Sequence, residues 1–222
     1  MNFTCADCPS KACEDHLYDK MPNEKACVTK KVDTEFFKGL YNEEDKKIAN
    51  SAARVESAGY CRWTRVEETM AFAHNMGYKK IGLGFCTGFS REAATFAKIL
   101  RSNGFEVEAA CCKCGSISKE FIGIEQSQYV HPEDEIEIMC NPAGQAEYLS
   151  DQGCELNVVL GLCVGHDTLF MRHSKAPVTV LTGKDRALAH NPVGALYLAD
   201  SYLKRVYTFI DDNFKDEEVK EK

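Results

Sequence analysis

Residues 156–167, LNVVLGLCVGHD, decide the reading of the fold. Leu156 to Leu162 is a nearly continuous apolar run, the pattern of a strand covered on both faces. It ends on a thiol, Cys163, followed by Gly165, His166 and Asp167. Three other strand-like stretches end in the same way: KKIGLGFCTG (79–88), FEVEAACCKCG (105–115) and DEIEIMCNPAG (134–144).

Working outward, helical patterns separate these runs. TRVEETMAFAHNMGY (64–78) has Thr64 placed as N-cap, Glu67 three residues on and Gly77 at its end, the signature of a capped helix. SREAATFAKILRSNGF (90–105) and PAGQAEYLSDQG (142–153) read as helices, DTLFMRHS (167–174) as a short one, and residues 191–214 as a long final helix. Strands are expected at 80–85, 106–110, 135–139, 156–162 and 177–182. Strands alternating with helices in units of about 25 residues indicate βαβ crossovers and a parallel sheet. The expected fold is therefore α/β, a doubly wound (Rossmann-like) parallel sheet of about five strands with a small N-terminal cysteine-rich segment. The boundaries read as 1–62 for that segment and a helical linker, 63–214 for the α/β domain, and 215–222 for a charged tail.

In an open parallel sheet, ligands bind beyond the carboxyl ends of the strands. Cys86, Cys111 or Cys112, Cys140 and Cys163 each fall at that end of a different expected strand, so a parallel sheet gathers them at one edge. A single buried cysteine at a strand end is ordinary packing, but packing does not require a thiol at every one. Zinc usually takes its thiolates from short knuckles. A larger iron–sulfur cluster suits ligands converging from separate loops, so Cys86, Cys112, Cys140 and Cys163 read as ligands of a [4Fe–4S] cluster, with zinc as the alternative. His166, Asp167 and His190 stand where a substrate would be oriented or protonated. Lys184, Asp185, Arg186 and Asn191 follow the last strand toward the same crevice. Cys154 precedes its strand, at the opposite edge, and reads as a packing residue.

Cys5, Cys8, Cys13 and Cys27 form a C-x2-C-x4-C-x13-C array in a segment with few large apolar residues. A core-poor segment with four thiols is best ordered by a metal, either an iron–sulfur cluster or zinc. His16 is a further candidate there, and Cys61 and Cys114 are spare thiols.

The 222 residues carry a net charge of -7 and twelve cysteines. An acidic chain lacks the basic face of a general nucleic-acid binder, and no apolar run is long enough to span a bilayer. With no basic and apolar leader at the start, the chain reads as cytoplasmic, where thiols stay reduced and serve metals better than disulfides.

The stretches CADCPSKAC (5–13), GYCRWTRVEE (59–68), CCK (111–113), MCNPAGQAE (139–147), GLCVGHDTLF (161–170), APVTVL (176–181) and KDRALAHNPVGALY (184–197) resemble a family of uncharacterised prokaryotic proteins predicted to bind metal. The resemblance runs from Cys5 to about Tyr207. It implies metal binding at the cysteines and supplies no reaction. The expected function is an iron–sulfur protein acting on a small molecule by redox or desulfuration chemistry, with a small molecule or a redox protein as partner. The alternative is a non-catalytic zinc or cluster carrier or sensor. The apolar face of the final helix also offers a surface for a homodimer.

Overall fold

Leu156–Leu160 is a strand buried along its whole length, and the architecture follows from what covers it. The structure, a computed structural model, describes residues 4–8, 12–14, 17–20 and 27–208. The chain divides into two compact units, Met1–Tyr60 and Cys61–Lys222.

The first unit contains three described α-helices: α1 (Val28–Lys31), α2 (Thr34–Gly39) and α3 (Glu43–Gly59). Asn42 and Asp45 close a reciprocal capping box at the start of α3, satisfying two of the amides that a helix leaves without partners.

The second unit runs α4 (Arg65–Met76), β1 (Lys80–Phe85), α5 (Ser90–Ser102), β2 (Glu106–Cys111), α6 (Pro142–Asp151), β3 (Leu156–Leu160), α7 (His166–His173), β4 (Val178–Thr182) and α8 (Val193–Tyr197). The four strands form one parallel sheet in the order β2-β1-β3-β4. From β1 the chain steps outward to β2, then crosses back to β3 and β4 on the other side. The direction of winding therefore reverses between β1 and β3.

Side-chain size sets the spacing of the layers. Ile81 and Leu83 of β1 are fully buried. On the opposite pleat, a Cβ on Gly84 would lie 2.4 Å from the ring of Phe170, a fully buried residue of α7. A glycine here lets α7 settle directly onto the strand. On α5, Ala93, Phe96, Ala97 and Leu100 form the buried stripe, at the i, i+3, i+4, i+7 spacing of a helix lying on a core.

The capped helix expected from Thr64, Glu67 and Gly77 is α4. The Thr64 side chain accepts from the Glu67 amide, the Glu67 carboxylate accepts from the Thr64 amide at 2.7 Å, and Gly77 closes the helix at φ 82°. Those hydrogen bonds from Thr64 hold the Glu67 carboxyl below its usual pKa. Thr64→Ala is expected to lower stability by about 1 kcal/mol, read as a lower urea midpoint at unchanged slope.

Two expectations are corrected. Residues 135–139 do not form a strand of the sheet, which has four strands rather than five. They make only an isolated antiparallel bridge, Ser118 with Ile138, flanked by Lys119 N–H to Glu137 O at 2.9 Å and Met139 N–H to Ile117 O at 2.8 Å. Glu135 and Glu137 alternate with Ile136 and Ile138, and a strand inside this sheet would bury a carboxylate row on one face. Glu137 instead pairs with Lys119 at 2.7 Å. The final helix is also shorter than expected. α8 ends at Tyr197, and a 3-10 turn, Lys204–Thr208, follows. Ser201 turns its hydroxyl onto the Leu198 carbonyl at 3.3 Å, a local bond that competes with helix continuation. The rest of the expected helix and the charged tail lie outside the described residues. No described helix is long and apolar enough to cross a membrane.

A candidate metal centre at the strand ends

The sheet continues past its strands as single backbone hydrogen bonds, and these position the thiols. Cys86 follows β1 and its N–H donates to the Leu160 carbonyl at 3.2 Å. Cys112 follows β2 and donates to the Phe85 carbonyl at 2.8 Å. The Asn141 amide donates to the Cys112 carbonyl at 2.8 Å, which brings Cys140 to the same edge although no sheet strand precedes it. Beyond β3 the chain turns at Gly161, φ 66°, where a Cβ would lie 2.1 Å from the Phe89 ring. Only glycine fits this left-handed, close-packed position, and Cys163 follows two residues later. No disulfide joins any of the twelve cysteines.

Three of these loops follow sheet strands, and the fourth is the loop entering α6. Cys86 and Cys163 stand on either side of the reversal between β1 and β3, where open α/β sheets form their ligand crevice.

The four thiols act on one another electrostatically. The Cys112 thiol hydrogen-bonds to Cys140. That bond, helped by the Lys113 cation, pulls Cys140 down to about 6, against burial and the charges of Cys163 and Cys86. The same bond and burial push Cys112 up to about 12. The Thr87 N–H also points at the Cys112 sulfur, at 3.4 Å.

Three cations face the group. Lys184 Nζ lies 3.0 Å from Cys86 Sγ, and Arg186 donates to Cys163 Sγ at 3.3 Å. The hydrogen bond to Cys163, with lesser contributions from Cys86 and Cys140, holds the guanidinium charged more firmly than usual. Lys113 is tied to the Ile138 carbonyl, beside Cys140. Positive charge at this edge favours thiolate over thiol.

Of the residues assigned to substrate handling, His166 and Asp167 occupy the first turn of α7, their amides bonded to the Cys163 carbonyl at 3.0 and 3.1 Å. Asp167 caps its own turn by accepting from Thr168. His190 sits in the loop after β4, its Nδ1 accepting from the Asp185 amide at 3.2 Å and its ring 4.4 Å from that of Phe89. Cys154 is buried at the other edge, its thiol pushed up to about 11 by burial.

At the N-terminus, Cys5 and Cys13 are exposed and Cys8 and Cys27 half-buried. Cys27 caps α1, and the Lys30 amide holds its thiol below the usual value. His16 lies outside the described residues. Among the described residues, no three or more His, Cys, Asp or Glu side chains are gathered into a cage for a metal ion, in either unit.

Two contributors escaped the sequence reading. One is Lys113, to which that reading assigned no role. Gln145 lies on the buried stripe of α6 with Pro142, Ala146 and Leu149, and its Nε2 bonds the Phe85 and Ala110 carbonyls at 3.0 and 2.6 Å, stitching together the ends of β1 and β2. Its Oε1 is buried and unpartnered within the protein. A polar residue on an otherwise apolar stripe was the available signal.

Residues 24–181 match the family model described as protein of unknown function (DUF1847). The chain belongs to this family. The match takes in Cys86, Cys112, Cys140, Cys163 and Cys27, and begins after Cys13. The uncharacterized protein MJ0455 of Methanocaldococcus jannaschii is 43% identical over 202 residues, covering 91% of this chain and 97% of that relative. Among solved structures, Dph2 from Pyrococcus horikoshii with a 4Fe-4S cluster aligns at a TM-score of 0.35 and 17% identity, over 64% of this chain. The family member described here spans only 33% of that Dph2 chain. So partial a superposition carries no functional weight.

Proposed function

We propose that Cys86, Cys112, Cys140 and Cys163 hold an iron–sulfur cluster of the [4Fe–4S] type, and that the protein uses it on a small molecule in a redox or desulfuration step. The observation carrying this reading is that four thiols from separate loops lie along one edge of the sheet, with Lys184 and Arg186 in contact with the Cys86 and Cys163 sulfurs and Lys113 tied beside Cys140. The donor set fits the group: all four ligands are soft sulfur, the preference of iron–sulfur clusters, and the cations offset the charge of several thiolates. When bound, such a cluster would supply electron transfer; were only three of the thiols ligands, the iron left open would supply a Lewis acid. The chain's own residues then bind and orient: Arg186 and Lys184 attract an anionic substrate, and His166 and Asp167 hold or move its protons. We read the sheet as the core of a doubly wound, Rossmann-like domain, because right-handed crossovers on either side of the β1/β3 reversal set helices on both faces. Cys5, Cys8, Cys13 and Cys27 form a second metal site that closes only around its metal, as core-poor small segments do. So many reduced thiols suit a cytoplasmic setting.

A second reading, a non-catalytic cluster or zinc carrier, is favoured by Val164. This apolar neighbour of Cys163 is 91% exposed and suits contact with a partner protein. Anaerobic purification followed by iron, sulfide and zinc analysis tests the proposal. Iron and sulfide in equal amounts, in a brown protein, are expected. Colourless protein containing zinc alone would sink the cluster reading.

A further inference from the structure

Cys111 and Cys114 flank Cys112, a proposed ligand, and open onto a different cavity. Cys112 turns toward Thr87 and Cys140, whereas Cys111 and Cys114 line a separate cavity of 420 Å³ with Gly115, Asn141, Gly144 and Tyr148. The four residues 111–114 form a turn closed by Cys114 N–H to Cys111 O at 3.1 Å. A turn with that bond brings its outer Cα atoms within about 7 Å, overlapping the roughly 4.4–6.8 Å that a disulfide spans. The turn is held from outside: Asn141 Nδ2 donates to the Cys114 carbonyl at 3.2 Å, and the Cys114 thiol donates to the Asn141 carbonyl at 3.7 Å. Both residues are half-buried and line the cavity, so a small reagent can reach them.

We propose that Cys111 and Cys114 are a redox-active dithiol, oxidised to a disulfide by low-molecular-weight disulfides that enter this cavity. The exchange balances without another reactant. One cysteine thiolate attacks a sulfur of the small disulfide, forming a mixed disulfide and releasing one small thiol. The second cysteine attacks the protein sulfur of that mixed disulfide and releases the other. The two protein thiols give up two electrons and two protons, and the small disulfide leaves as two thiols. The site goes beyond the proposed cluster and does not depend on it.

The test uses the full chain, purified anaerobically, exposed to 2-hydroxyethyl disulfide, blocked with an alkylating reagent and digested with trypsin. Lys113 lies inside the motif, so the bond joins two tryptic peptides, and fragmentation assigns it to Cys111 and Cys114. Cys111→Ser and Cys114→Ser should each stop at the mixed disulfide, one hydroxyethylthio group heavier, with iron and sulfide content equal to the parent protein. Alkylation of both cysteines after oxidant treatment would overturn the proposal, as would a bond between Cys112 and Cys140 instead. Loss of metal in either serine variant would also overturn it, by making that residue a ligand. A parent protein without iron would refute the cluster and leave the dithiol result standing.

Discussion

Cys163→Ala is expected to remove the strand-end iron and sulfide completely while leaving the metal of the N-terminal array in place. Cys163 is the only one of the four thiols delivered by β3, and its sulfur is the acceptor for Arg186. Without it the group loses one ligand and the guanidinium loses its partner. The backbone should tolerate the change, because Cys163 is only half-buried and its carbonyl, not its side chain, anchors the first turn of α7. Metal and sulfide analysis of the variant beside the parent decides the matter, with circular dichroism confirming the fold. Unchanged metal content would show that the strand ends do not form the centre. Cys154→Ala, at the opposite edge, should leave metal content as it was.

The largest expected effect on stability is at Phe170. Its side chain is fully buried and lies where a Cβ of Gly84 would be, 2.4 Å from its ring. Phe170→Ala removes the ring and leaves a cavity between β1 and α7, a change that costs about 3–5 kcal/mol in well-packed cores. Gly84→Ala overfills the same space at about 1–3 kcal/mol. The two errors have opposite sign in volume, so Phe170→Leu combined with Gly84→Ala should cost less than the sum of its parts, the coupling expected of residues in contact. Urea titrations of the three variants measure this. A Phe170→Ala midpoint no lower than that of a surface substitution would mean α7 does not rest on β1 as described.

The parallel core was readable because apolar continuity is a local property. β1, β3 and β4 stand close to where their apolar runs lie, and the Thr64–Glu67–Gly77 signals mark α4 because capping is decided within a single turn. Residues 135–139 misled for a matching reason: alternation shows that a segment can be extended, but not what it pairs with, and the glutamates take it to Ser118 rather than into the sheet. Cys140 reaches this edge through the Asn141–Cys112 backbone bond rather than at a strand end, whereas the placement of Cys86, Cys112 and Cys163 there was legible because a parallel sheet carries its strand ends to one edge. Their partners were not. Lys184 meets Cys86 across 98 positions of sequence, and no periodicity encodes which lysine of a loop reaches which sulfur. Gln145 was hidden because its role depends on two carbonyls from neighbouring strands.

The ladder bonds that extend the sheet past its strands carry one more implication. Cys86 and Cys112 have their own amides committed to the Leu160 and Phe85 carbonyls, so neither can turn its N–H toward a sulfur. Among the described residues, the Thr87 amide is the backbone group aimed at one of the four thiols. The electrical character of this edge is therefore written in interchangeable side chains, Lys113, Lys184 and Arg186, upon a frame that the sheet itself holds still. Such a centre can be retuned one substitution at a time without redrawing the fold that presents it.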